Sequence, residues 1–418
     1  MPIRTLYLCY FGLREPLVQT QVLPYLRQLA AAGIRVSLLT FEPRLRSAWT
    51  KQELAAQQER LATEGIRWFY LPYHKRPSAP ATLYDIVSGA RFAARLIRRE
   101  GIEVLHARSH IPMAMALMAQ RWSECKMIFD IRGLMAEEYS DAGVWRETSP
   151  PFRAVKRIER AGIRRADQIV VLTRKMRDWL VRQNLKRAEQ IEVIPCCVDF
   201  ERFSAGTGER ETTGSPSQRR FEVVYAGSIT GLYLLEEMGH FMMALRDLRP
   251  DAFFRVLTMS SATEGSAVLQ RIGLRPEDFW IGSVPPTEVA AHLRGAQLGI
   301  SFRKPTFSQI AASPTKIPEY LAAGLPVVCN SGIGDMDRLV ELERVGVVVS
   351  SFDSEAYQAA AAQAVALAND AEARLRCERV ARQHFDLHAV GGVGYLKVYR
   401  RLEEHGREIK AETGLVQV

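Results

Sequence analysis

The chain has 418 residues, of which 47% are apolar and 25% charged. That length exceeds one ordinary core and suits two domains, and the balance excludes a disordered or fibrous chain. A net charge of +9 fits an anionic membrane surface, an acidic substrate or simply a solvated arginine-rich surface. No zinc-ligand spacing and no RNA-binding signature accompanies it, so no nucleic-acid partner is expected.

The opening segment MPIRTLYLCYFG reads as a first strand rather than a leader. A helical pattern follows at 19–32 and a strand at 34–41, with Gly33 between them where a helix end favours glycine. Further strands are predicted at 103–107, 126–131, 167–172 and 192–195, with helical stretches between. Such alternation implies a parallel sheet covered on both faces. Residues 204–220, SAGTGERETTGSPSQRR, hold almost no large apolar side chain and read as a linker. The alternation restarts with strands at 221–226, 252–257, 279–282, 298–302, 327–329 and 345–349, and ends in helices from about 354 to 408.

The predicted domains are therefore 1–203, a linker at 204–220, a second α/β unit at 221–385 and a last helical segment at 386–418. Ligands of open α/β sheets bind beyond the carboxyl ends of the strands, so two such units suggest a crevice for two substrates. Cys9, Cys125, Cys196, Cys197, Cys329 and Cys377 form no C-x-x-C pair, and buried reduced thiols explain them better than disulfides. No apolar run reaches the length of a membrane span. A cytoplasmic protein is expected, with any membrane contact peripheral. The arginine-rich stretches 91–99 and 153–165 have the composition of faces that dock on anionic lipid, and equally of ordinary solvated helices.

The stretch SPTKIPEYLAAGLPVVC at 313–329 carries the most chemistry. Ser313 and Pro314 suit the start of a helix, where free amides favour an anion such as a diphosphate. Lys316 adds a positive charge there, and Glu319 lies one turn further on the same face, where a carboxylate can accept two hydrogen bonds from a sugar diol. A capped helix with a surface Lys–Glu pair is the plainer alternative.

This stretch resembles the donor-binding helix of glycosyltransferase family four, a retaining GT-B family of the group 1 type. That helix usually carries two glutamates eight apart. Glu319 matches the second, which in the family holds the ribose hydroxyls, whereas the first falls at Ala311. VYAGSITG at 224–231 resembles the family's glycine turn, where amides face the donor phosphates, and makes Gly227 and Ser228 donor-binding candidates beside Ser313, Thr315, Lys316 and Glu319. The Arg and Lys that the family often places after this turn are replaced by Leu232, Tyr233, Leu234, Leu235 and Glu236. Lys316, Lys304 and Arg303 are then the cations available to the phosphates.

IPCCVDFERF at 194–203 resembles the end of the family's N-terminal domain, with Cys196 and Cys197 in place of Asn-Gly and a packing role expected for both. IEVLHARSH at 102–110 resembles a histidine-bearing strand end: His106 matches the first histidine, Arg108 stands at the second, and His110 is placed to take over its contact beside the reacting sugar. DIRGLMAEEY at 130–139 resembles the acceptor-side loop, with Arg132, Glu137 and Glu138 as candidates there.

The resemblance implies an α/β GT-B fold of two Rossmann-like domains facing across a cleft, the C-terminal helices crossing back to the N-terminal domain. It implies sugar transfer from a nucleotide-diphosphate donor to a sugar or lipid-linked acceptor, in surface polysaccharide or glycolipid synthesis, with retention of configuration. His110, Arg108 and Lys316 are the catalytic candidates, and no cofactor or metal is expected. The alternatives left open are a catalytically silent GT-B subunit and a GT-B sugar-nucleotide epimerase.

Overall fold

A computed structural model describes residues 3–122, 125–201 and 220–414. The chain divides into two compact units, one of Met1–Ser140, Trp145–Pro195 and Leu387–Val418, the other of Asp141–Val144 and Cys196–Asp386. The passage into the second unit comes at Cys196 rather than after 203. The reason is bonding: the Cys196 amide donates to Ser313 Oγ at 3.1 Å and the Val198 amide to the Phe385 carbonyl at 2.8 Å. The expected linker at 204–220 lies, apart from Arg220, outside the described residues.

The first unit holds a parallel sheet of seven strands: β1 (Arg4–Leu8), β2 (Arg35–Pro43), β3 (Ile66–Tyr73), β4 (Val104–Arg108), β5 (Lys126–Asp130), β6 (Gln168–Val171) and β7 (Ile191–Val193). Their spatial order is β3-β2-β1-β4-β5-β6-β7. Strand β3 was not expected. IRWFYLPY pairs with β2 from Ile66 to Tyr73, and Pro72 is tolerated because the strand sits at the sheet edge. The helix expected at 19–32 is two helices, Pro16–Gln21 and Leu23–Ala31, broken at Val22. Pro24 has no N–H to continue the helical ladder across that point. The chain returns to this unit at Leu387 and ends in the helix Val393–Gly414, whose Tyr395 and Tyr399 are buried in it.

The second unit holds six parallel strands: β8 (Phe221–Ala226), β9 (Ala252–Leu257), β10 (Phe279–Gly282), β11 (Leu298–Ser301), β12 (Val327–Asn330) and β13 (Gly346–Val349), in the order β10-β9-β8-β11-β12-β13. Met238, Phe241, Met242 and Leu245 of the helix Leu235–Leu248 belong to one buried cluster of this unit. Ile317, Tyr320 and Leu321 pack with Cys377, Val380 and Ala381 in the other. All six cysteines are buried and free. Among the described residues no helix is long and apolar enough to cross a membrane.

Tyr320 fixes the short helix Lys316–Ala322 to the sheet. Its hydroxyl accepts from the Ala226 amide at 2.8 Å and donates to the Ile300 carbonyl at 3.3 Å, so it spans β8 and β11. Its ring lies so close to Gly299 that a Cβ there would stand 2.4 Å from ring carbon Cδ2. Gly299→Ala should therefore destabilise the unit by about 1–3 kcal/mol through overpacking. Urea unfolding checks this, and an unchanged midpoint would mean that the helix shifts without cost.

Candidate functional site

The strand order of the second sheet reverses between β8 and β11, so the loops leaving these neighbouring strands diverge and open a crevice at their carboxyl ends. Gly227 follows β8, Arg303 and Lys304 follow β11, and the helix Lys316–Ala322 begins nearby. Gly227 has φ +149°, and a Cβ on it would stand 3.0 Å from both Cε and Nζ of Lys316. The turn after β8 is thus open because the lysine occupies the space a side chain would need.

Lys316 is 4% exposed. Its Nζ lies 3.7 Å from the ring centre of Tyr233 and 4.9 Å from that of Tyr225. The guanidinium carbon of Arg303 lies 4.9 Å from the same Tyr233 ring. Among the described residues no hydrogen bond or ion pair holds Lys316 Nζ. Arg303 Nε is buried and also lacks a hydrogen-bond partner. An aromatic face returns at most about 2 kcal/mol to a desolvated cation, whereas burying an unpaired ammonium costs several. Burial accordingly pushes the Lys316 ammonium well below its ordinary pKa, Arg303 adds to that, and Glu319 opposes it. A bound anion would relieve both charges.

Other donor candidates fall around this pair. Ser228 is exposed, and its carbonyl accepts from the Tyr225 hydroxyl. Lys304 is half-buried, its amide donating to the Leu232 carbonyl at 2.9 Å. Glu319 is half-buried. Ser313 does not cap the helix, since its Oγ is taken by the Cys196 amide. Thr315 stands at the N-cap without a side-chain bond, and the helix is only seven residues long with Pro318 in its first turn. Helix amides therefore offer less to an anion than the sequence suggested, and side-chain charge offers more. Ala311, at the position of the family's first glutamate, is 1% exposed at the end of the turn Phe307–Ala311.

In the first unit Asp130, at the end of β5, is fully buried. Tyr395 donates to it at 2.8 Å, and Arg108 and Arg132 each lie 3.5 Å from it. Burial alone would raise this carboxyl, but Arg132, His106 and Arg108 outweigh that and hold it below the usual range. His106 is buried with Nδ1 at 3.0 Å from the Tyr399 hydroxyl, and burial lowers its imidazole against the pull of Asp130. Glu138 is half-buried, and its carboxylate packs over Gly133. Glu137 is paired with Lys156 at 2.5 Å.

His110 departs from expectation. Ser109 turns the chain with φ +70°, and the helix His110–Ala119 starts at once. The imidazole is thereby carried into the packing, fully buried, with Nε2 at 3.0 Å from Glu159 and its ring edge-on to Phe129. A contact with a reacting sugar is not available to it there.

Residues 18–202 match the family model described as Glycosyltransferase Family 4. That match lies in the N-terminal part of the chain and covers less than half of it. Solved structures agree on the fold. Sucrose-phosphate synthase from Thermosynechococcus elongatus aligns at TM-score 0.73 and 15% identity, covering 96% of this chain and 100% of that one. WaaG, a glycosyltransferase of lipopolysaccharide biosynthesis, aligns at 0.64 and 15%, covering 94% and 98%. HepE of Anabaena, solved with UDP-glucose, aligns at 0.64 and 13%, covering 96% and 100%. No curated protein sequence matches the chain. The fold is thus GT-B.

The site has one member that the sequence did not suggest. Tyr233 stands where the family often carries a cation, and the sequence reading gave it no role. Its signal was that substitution: an aromatic in place of a cation can hold cations supplied from elsewhere.

The buried ammonium also affects stability. The unfolded chain protonates Lys316 up to its ordinary value of 10.5, whereas the folded chain releases that proton well below it. In that window the unfolded state binds more protons, so the folded state gains as pH rises. The unfolding midpoint of the wild type, relative to Lys316→Met, should therefore climb as pH rises toward 10.5. A flat difference would show that the ammonium is solvated in the folded chain.

Proposed function

We propose that the chain transfers a sugar from a nucleoside-diphosphate donor, bound at the carboxyl ends of β8 and β11, to a sugar or lipid-linked acceptor. The observation that carries this is Lys316, buried against Tyr233 beside Gly227 and Arg303. A departing diphosphate develops the negative charge that such a site stabilises. Glu319 holds the ribose hydroxyls, and Ser228 and Thr315 lend backbone amides, while Gly227, whose own amide donates to the Leu257 carbonyl at 2.9 Å, lets the backbone come close. Lys304 and Ser313 take lesser parts, the first as a second-line cation and the second by fixing the Cys196 backbone.

HepE, of the same fold, holds UDP-glucose in its crystal, which supports a uridine nucleotide as the first donor to try. On the first unit, Arg132 and Glu138 are proposed for the acceptor side, while Arg108, buried 3.5 Å from Asp130, has a positioning part. Retention of anomeric configuration, metal independence, and a cytoplasmic location with peripheral membrane contact through the basic helices complete the reading.

Turnover of UDP-sugars tests it. Lys316→Ala should lose about a hundredfold to a thousandfold in turnover. Lys316→Arg should recover part of this, since a planar fork replaces a compact charge. Lys304→Ala should lose less, Glu319→Ala should weaken nucleotide binding, and a chelator should leave the wild type active. Near-normal turnover in Lys316→Ala, with abolition in Lys304→Ala, would move the phosphate site to the loop after β11.

A further inference from the structure

Outside the groups already assigned, the first unit carries a second built cluster at the carboxyl edge of its sheet. Asp85, on the helix Ser78–Glu100, has a fully buried side chain. It accepts from three donors: His74 Nδ1 at 2.6 Å, the His74 amide at 3.0 Å and the Tyr10 hydroxyl at 2.8 Å. Tyr10 follows β1 and His74 follows β3, so one carboxylate ties two strand ends to the helix behind them.

The imidazole itself is not buried. The His74 side chain is 42% exposed although its Nδ1 is taken. With Nδ1 donating to Asp85, the ring is oriented and Nε2 is left as its free hydrogen-bonding atom. Nε2 has no partner among the described residues. Beside it Tyr84 is 62% exposed and stands edge-on to the imidazole, with ring centres 5.1 Å apart at 87°. Phe11, next to Tyr10, is 42% exposed. One open aromatic ring, that of Tyr84, therefore sits next to an oriented hydrogen-bonding nitrogen, with no Lys or Arg paired to the carboxylate behind it.

This combination selects a ligand class. A carboxylate-backed imidazole offers Nε2 to a hydroxyl, which can donate to it or accept from it. An aromatic face takes an apolar surface next to a polar rim. A sugar ring presents both, a C–H face and a rim of hydroxyls. We propose that His74, oriented by Asp85, and Tyr84 form a binding site for a neutral carbohydrate, the sugar moiety of the acceptor. Identifying that carbohydrate as the acceptor rests on the glycosyltransferase reading; the binding site itself does not.

The test uses the full chain labelled with 15N-histidine and two probes, methyl α-D-glucopyranoside and methyl α-D-mannopyranoside. His74→Gln assigns the His74 resonances by their disappearance. At least one glycoside should shift the His74 Nε2 resonance saturably. Tyr84→Ala should weaken that binding by about threefold or more, and Tyr84→Phe should retain it. If neither glycoside moves His74, or if Tyr84→Ala binds as the wild type does, the site is not a sugar site. UDP titrated into the same samples reads the donor separately. Its failure to bind the wild type would remove the donor reading and leave the sugar result standing.

Discussion

The second unit is organised around one buried charge. Lys316 lies against Tyr233 and Tyr225 without a hydrogen bond, and Arg303 shares the Tyr233 ring. Cation–ring attraction does not offset desolvation of that ammonium, so the free folded chain holds its proton weakly and a bound anion would strengthen that hold. Neighbouring features serve this arrangement. Gly227 leaves the volume that the lysine fills, and Gly299 lets the Tyr320 ring close on the sheet. Tyr320 then fixes the lysine's helix across β8 and β11, where the strand order reverses. A site of this kind reduces the stability of the free protein in favour of binding, a trade common where function needs an unsatisfied group.

The first unit uses charge differently. Asp130 is surrounded by Arg108, Arg132, His106 and Tyr395, and Asp85 by His74 and Tyr10. Both carboxylates are buried at the carboxyl edge of the sheet and both meet several donors, as buried acids must. Asp130 closes on Arg108, His106 and Tyr395, which are themselves buried, so it binds the unit together. Asp85 leaves one partner at the surface, so it orients that partner.

Much of the fold was legible in the sequence because parallel strands buried on both faces announce themselves as short apolar runs. The central strands of both sheets are of that kind. Edge strand β3 was not, since IRWFYLPY mixes exposed and buried positions and contains a proline. The pairing of Gly227 with Lys316 followed from the two motifs, and the structure brings those residues together. The role of Tyr233 did not follow, because a ring that holds cations looks in sequence like any core aromatic. Ser313 read as a cap since the bond from Cys196 that occupies it spans more than a hundred residues. His110 misled for a related reason: whether a histidine after a strand faces a ligand or a helix depends on the turn at Ser109, which no spacing reveals. His74 and Asp85 lie on different elements, and only the fold joins them.

The central claim is that a nucleoside diphosphate meets the buried Lys316 and restores its proton. Calorimetric titration of UDP at one pH, in buffers of different ionisation enthalpy, measures this directly, because protons taken up on binding are drawn from the buffer. The account predicts that the wild type takes up protons on binding UDP and that Lys316→Met takes up fewer and binds more weakly. Equal proton uptake and equal affinity in the two proteins would contradict it.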